Sequence, residues 1–142
     1  MSAHTVAFAT HILSLALTAC AIVYADHTGL SWIQKKIQTV PHKTLHYLHW
    51  AVGIGLGLMI GSGIVLFWPV KDYLLSSFPF YIKMTFVLAL IINSIVIENL
   101  MHVATHTPFQ DVPKKVRNKL FVSGAVSGIS WLGAAVAAFF LF

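Results

Sequence analysis

The sequence predicts an all-α integral membrane protein, a bundle of four transmembrane helices with both termini on the non-cytoplasmic side. Three observations carry this expectation. Of 142 residues, 58% are apolar and only 9% are charged, whereas an average soluble domain carries about 25% charged residues. A soluble fold of this length cannot hide so much apolar surface, so the solvent must be lipid. The apolar residues gather in four runs, each near the roughly 20 residues that cross about 30 Å of hydrocarbon. No run alternates apolar and polar residues as a barrel strand would.

The first run is Val6 to Ala25, closed by Asp26-His27-Thr28-Gly29, which places His27 in a loop. No Lys or Arg precedes Val6, and the run is long enough to span, so a cleavable signal peptide is not expected. It contains the single cysteine, Cys20, read as a small buried hydrophobe. One cysteine excludes an internal disulfide and a cysteine-rich metal knuckle. Leu45 to Trp68 is the second run and follows Pro41; Phe80 to His102 is the third, with Pro69 and Pro79 bracketing the connection before it. Leu120 to Phe142, after Pro108 and Pro113, is the fourth. Residues 1–142 thus read as one transmembrane domain with spans at about 6–25, 45–68, 80–102 and 120–142.

Basic residues assign the sidedness. Lys35, Lys36 and Lys43 lie in the first connection and Lys114, Lys115, Arg117 and Lys119 in the third, against Lys71 and Lys83 around the second. Connections one and three are therefore expected in the cytoplasm of a multi-pass protein of the cell inner (plasma) membrane. The net charge of +5 follows from this topology and does not indicate a nucleic-acid partner. Small residues recur four apart at Gly53, Gly57 and Gly61 and at Gly124 and Gly128. Such rows let helices approach closely in lipid; on the second helix the row alternatively makes room for a flat cofactor.

Eight histidines stand out in so apolar a chain, because ionisable residues in spans are costly and tend to be functional. His42, His46 and His49 form one stripe into the second helix, and Glu98, His102 and His106 a matching stripe out of the third. Both stripes are expected at the same membrane level, with His49 and His102 at matching depth. Two facing imidazoles are a common way to hold haem b, with a carboxylate such as Glu98 orienting one of them. The same set, His46, His49, His102, His106 and Glu98, also suits a bare Cu, Zn or Fe ion. A third reading makes the histidines interfacial anchors of a cofactor-free structural subunit. On the outer half, His11 lies well inside the first span in a row with His4 and Thr18, Lys83 enters the third, and Asn93 sits near its middle.

Leu48-His49-Trp50, Gly61-Ser62-Gly63-Ile64 and Phe67-Trp68-Pro69 resemble the His-Trp helix of cytochrome b subunits. These are the membrane anchors of formate dehydrogenase and nickel-iron hydrogenase, four-helix bundles that exchange electrons with quinone. The resemblance covers about 20 residues and implies an axial haem-ligand role for His49. The chain departs from that family where Tyr81-Ile82-Lys83-Met84 replaces a histidine-bearing helix start, and the last helix lacks the family's ligand pair. A second resemblance runs through Thr10-His11-Ile12-Leu13, Ser62-Gly63, Tyr73-Leu74, Pro79-Phe80, Lys83-Met84 and Asn93. It is to small four-helix proteins related to copper-resistance D, similar in outline to membrane protoporphyrinogen oxidase. That likeness implicates His11 and Lys83 in haem or copper handling.

The leading expectation is a haem-b-binding protein for electron transfer, a carrier or a quinone-linked anchor subunit of a larger redox complex. His49 and His102 are the candidate ligands, with His46, His106 and His11 in reserve and Gly53 and Gly57 beside the ring. If the chain takes part in catalysis it does so as an oxidoreductase or a redox-complex subunit. No nucleotide-binding motif is present, so electrons must come from quinone or a partner protein.

Overall fold

The computed structural model describes residues 2–141, so Phe142, the end of the fourth expected span, lies outside the described residues. The helices are α1 (Ala3–Ile33), α2 (His42–Phe67), α3 (Lys71–Leu75), α4 (Phe78–His106) and α5 (Lys114–Phe139). Short 3₁₀ turns occupy Trp68–Val70 and Phe109–Asp111, and no strand occurs among the described residues. Four helices are long and apolar enough to cross a membrane, as the sequence predicts. The chain divides into two compact units, Met1–Val70 and Lys71–Phe142, each built on one hairpin of long helices.

The helices α1 and α4 extend past their predicted spans at both ends, whereas α2 and α5 begin before theirs and end at Phe67 and Phe139. At about 1.5 Å per residue, the 31 residues of α1 reach about 46 Å, well beyond the hydrocarbon thickness. The Asp26-His27-Thr28-Gly29 segment does not close the first helix, and His27 is helical. The hydroxyls of Thr28 and Ser31 donate to the carbonyls of Tyr24 and His27, four residues back, so these polar side chains are satisfied on the helix itself. The helix starts under a Ser2 cap, whose Oγ accepts the Thr5 N–H at 3.2 Å. It ends in a Schellman turn: the Lys35 N–H donates to the Trp32 carbonyl and the Lys36 N–H to that of Ser31. Lys35 occupies the left-handed position, with φ 60°, that glycine usually takes. Trp32 and Val40, at either end of this turn, are buried to 1% and 2% exposure.

In the first unit α1 and α2 run antiparallel. Ala7, His11, Ser14 and Thr18 share one stripe of α1, at spacings of three and four, and face Gly55, Met59 and Ser62 of α2. The register follows from two contacts: His11 meets Ser62, and Thr18, seven residues on, meets Gly55, seven residues back. A Cβ at Gly55 would run into Thr18 Oγ1. Thr18 Oγ1 is itself held at 2.6 Å to the Ser14 carbonyl. Cys20 is exposed, not buried as expected, because it lies on the side of α1 away from this stripe.

In the second unit α4 and α5 form the corresponding pair. Buried Asn93 and Ser123 exchange two hydrogen bonds, Asn93 Nδ2 to the Ser123 carbonyl at 3.0 Å and Ser123 Oγ to Asn93 Oδ1 at 2.8 Å. Near the far end Phe86 lies against Gly133, where a Cβ would stand 2.5 Å from the ring. Arg117, expected only as a topology-setting cation, closes the connection between the helices. Its Nη2 donates to the carbonyls of Phe109 and Gln110 at 3.0 and 2.8 Å, and its guanidinium lies 4.7 Å from the Phe109 ring centre. Tyr81 donates to the Leu75 carbonyl at 2.9 Å, tying α3 to the start of α4.

Both glycine rows differ from the packing expectation. Gly53, Gly57, Gly61, Gly124 and Gly128 have nothing within 4 Å of a would-be Cβ. The close approaches use Gly55 and Gly133 instead, because the buried stripes of α2 and α5 lie about half a turn around the helix from those rows. The hairpin interiors hold small and polar residues, including Ser14, Thr18, Ser62, Asn93, Ser123 and Ser130, while large apolar residues such as Leu13, Ile64 and Leu132 point outward. This inversion of the water-soluble pattern suits helices solvated by lipid, where apolar burial gives no drive to associate.

Candidate functional site

Pro41 caps the start of α2, and His42 is its first residue. His42, His46 and His49 follow at spacings of four and three, so they stack along one side of the first two turns. The rings of His42 and His46 lie 6.5 Å apart at 26°, and His46 meets Trp50 edge-on at 6.3 Å. His46 is thus one rung of an aromatic ladder. His49 stands about 10 Å along the helix from His42 and is exposed. From it, four-residue steps lead to Gly53 and Gly57, which are also exposed. His49, Trp50, Gly53 and Ile54 line a shallow groove of about 250 Å³. This face is the one turned away from α1.

His11 belongs to the opposite face of the pair, between the helices. Its Nδ1 lies 3.0 Å from Ser62 Oγ and 3.1 Å from the Met59 carbonyl, and its ring borders Gly63. Ser62 Oγ donates at 2.6 Å to the Leu58 carbonyl. With the hydroxyl proton engaged there, the imidazole donates from Nδ1. His11 therefore takes part in joining α1 to α2.

In the second unit Glu98, His102 and His106 run along an exposed strip of α4, turned away from the Asn93 stripe. His102 lies one turn from the end of the helix and Glu98 two turns from it. Lys83 is half-buried near the other end of α4. Among the described residues no three His, Cys, Asp or Glu side chains gather as a metal-ion site requires. The His46, His49, His102, His106 and Glu98 set expected to ligate an ion is divided between the hairpins, two residues on α2 and three on α4.

Sequence reasoning missed a larger feature, a groove of about 670 Å³ between α4 and α5. Asn99, Lys115, Asn118 and Lys119 line it together with Asn93 and Ser123 and a valine-rich wall. The available signal was the spacing Lys115, Lys119, Val122, Val126, which sets two cations and two valines on one helix face. In sequence the same lysines also satisfy the topology rule, which masks this second role. In comparison with known proteins no family model matches this chain. No curated protein matches it either, and neither does any solved structure.

Proposed function

We propose that this membrane protein binds haem b and passes single electrons, with His49 and His102 as axial ligands. The observation that supports this best is the outward face of α2. A haem-binding helix must offer an imidazole and, beside it, a surface without side chains to obstruct the ring. His49 is the imidazole, and Gly53 and Gly57, one and two turns on, have nothing within 4 Å of a would-be Cβ. The residues present fit the group. Bound haem would supply the one-electron chemistry, and the protein would set the potential through its ligands and the dryness of the site. His102 offers the second imidazole from an exposed position on α4. Electrons would arrive from quinone or from another subunit.

A bare Cu, Zn or Fe ion draws most of its ligands from side chains, and among the described residues no three His, Cys, Asp or Glu side chains gather. Haem needs only axial side chains, because the porphyrin fills the equatorial positions.

The test is the spectrum of protein produced with ample haem. A low-spin b-type spectrum is expected in the native chain. His49→Ala should abolish haem or convert it to a high-spin form, and His102→Ala should do the same. Gly53→Leu should displace haem by bulk without removing a ligand, while His46→Ala should leave the spectrum unchanged. A colourless native protein without iron, or a folded His49→Ala protein with an unaltered spectrum, overturns the proposal.

A further inference from the structure

The α4–α5 groove combines a cationic mouth with an apolar length. Lys115 and Lys119 stand in the first two turns of α5 and line it together with Asn99 and Asn118, and no acidic residue does so. Further along, Val96, Val122 and Val126 line it, and it reaches the Asn93–Ser123 pair. Lys115 and Val126, its outermost lining residues on α5, are 11 residues apart, so the groove runs about 16 Å along the helix axis. A single leaflet of hydrocarbon is about 15 Å deep. The groove therefore has the length of one leaflet, with its charge at the end where headgroups lie.

Arg117, beside these lysines in sequence, is committed to the Phe109 and Gln110 carbonyls. Lys115 and Lys119, both exposed, are the cations that remain for a ligand at the groove. An anionic head and an apolar tail along one axis describe a phospholipid. A quinone can accept hydrogen bonds from lysine, but its neutral head leaves the charge of the pair uncompensated.

We infer that the α4–α5 groove binds one anionic phospholipid. Its phosphate is held by Lys115 and Lys119 with Asn99 and Asn118, and an acyl chain lies along Val96, Val122 and Val126. Basic pockets between transmembrane helices recognise such headgroups by charge. The occupant is structural to the second hairpin and independent of any haem.

The test uses the full chain in mild detergent, with phosphatidylglycerol or phosphatidylcholine added and lipid retention read by native mass spectrometry. One phosphatidylglycerol should be retained and phosphatidylcholine should not. Lys115→Gln with Lys119→Gln should weaken retention about thirtyfold, the loss of two lysine contacts to an anionic headgroup. The paired Lys→Arg variant should retain it. Val122→Trp, with both lysines intact, should lower retention by filling the tail groove. The haem spectrum should be the same in all of these variants. Equal retention of the two lipids, retention indifferent to the lysines, or displacement of the lipid by inorganic phosphate would each overturn the inference, the last by making the site one for a free anion.

Discussion

The two hairpins solve one problem with different parts. Each must hold two apolar helices together in a solvent as apolar as they are, so each places its polar atoms and its closest approach on the shared face. The first hairpin relies on backbone proximity: Gly55 leaves the notch in which Thr18 sits, and His11 donates across to α2. The second relies on a reciprocal side-chain pair, Asn93 with Ser123, and on Phe86 against Gly133. Their outer faces differ as well. The first carries the His49–Gly53–Gly57 strip, and the second carries the Glu98–His102–His106 strip and the basic groove. A glycine in these helices thus has meaning only through the face it occupies.

That contrast can be broken most severely at Gly55. Gly55→Ala already places a Cβ on the Thr18 side chain, and Thr18 has little room to rotate, being 1% exposed and tied to Ser14. Overpacking of this kind costs up to about 3 kcal/mol, and Gly55→Val should cost more than Gly55→Ala. Gly57→Ala, two residues along the same helix, should be neutral or slightly stabilising, since alanine is the better helix former. Unfolding in mixed micelles followed by circular dichroism measures both. Equal effects at the two sites would mean that the α1–α2 register described above is wrong.

A smaller effect separates the two polar interfaces. Asn93 and Ser123 satisfy each other, so removing either leaves a buried group without its partner. A double-mutant cycle with Asn93→Leu and Ser123→Ala should give a coupling of about 1 to 1.5 kcal/mol, toward the upper range for such bonds in membranes. The His11–Ser62 cycle should give about 0.5 kcal/mol, because the Met59 carbonyl still accepts from His11 when Ser62 is lost. A larger coupling at His11 than at Asn93 would reverse the ranking of the two hairpins.

The helices were legible in the sequence because length and composition against a lipid slab are nearly sufficient to specify them. Their ends were not. Asp26-His27-Thr28-Gly29 reads as a stop, yet outside the hydrocarbon polar residues cost a helix little, and hydroxyls bonded four residues back carry it on. The packing faces were misread for a related reason. A repeat of glycines at every fourth residue is conspicuous, whereas Gly55 with Met59 and Ser62 is an ordinary heptad stripe. Only the partner helix tells which stripe is covered. Of the candidate site, the His42–His46–His49 side and the open glycines beside His49 were legible, since i, i+4 geometry fixes them within one helix. The α4–α5 groove was not, because it requires knowing which face of α5 meets α4.

A comparably small effect lies in the turns. Lys35 holds a left-handed conformation that costs an L-residue roughly 1 kcal/mol or more relative to glycine. Lys35→Gly should therefore stabilise the first hairpin, by about 0.5 to 1 kcal/mol after the larger unfolded-state entropy of glycine is counted. The α4–α5 connection has no comparable position, since Lys35 is the one positive-φ residue among those described, and Pro108 and Pro113 already restrict that chain. The substitution also removes a charge, so Lys35→Ala serves as the control: it loses the same charge and keeps the strain. Stabilisation by glycine and not by alanine, seen as a higher melting temperature in detergent, assigns the gain to the backbone. Equal stabilisation by both would assign it to relief of repulsion with the neighbouring Lys36, and the Schellman turn would then carry no strain worth removing.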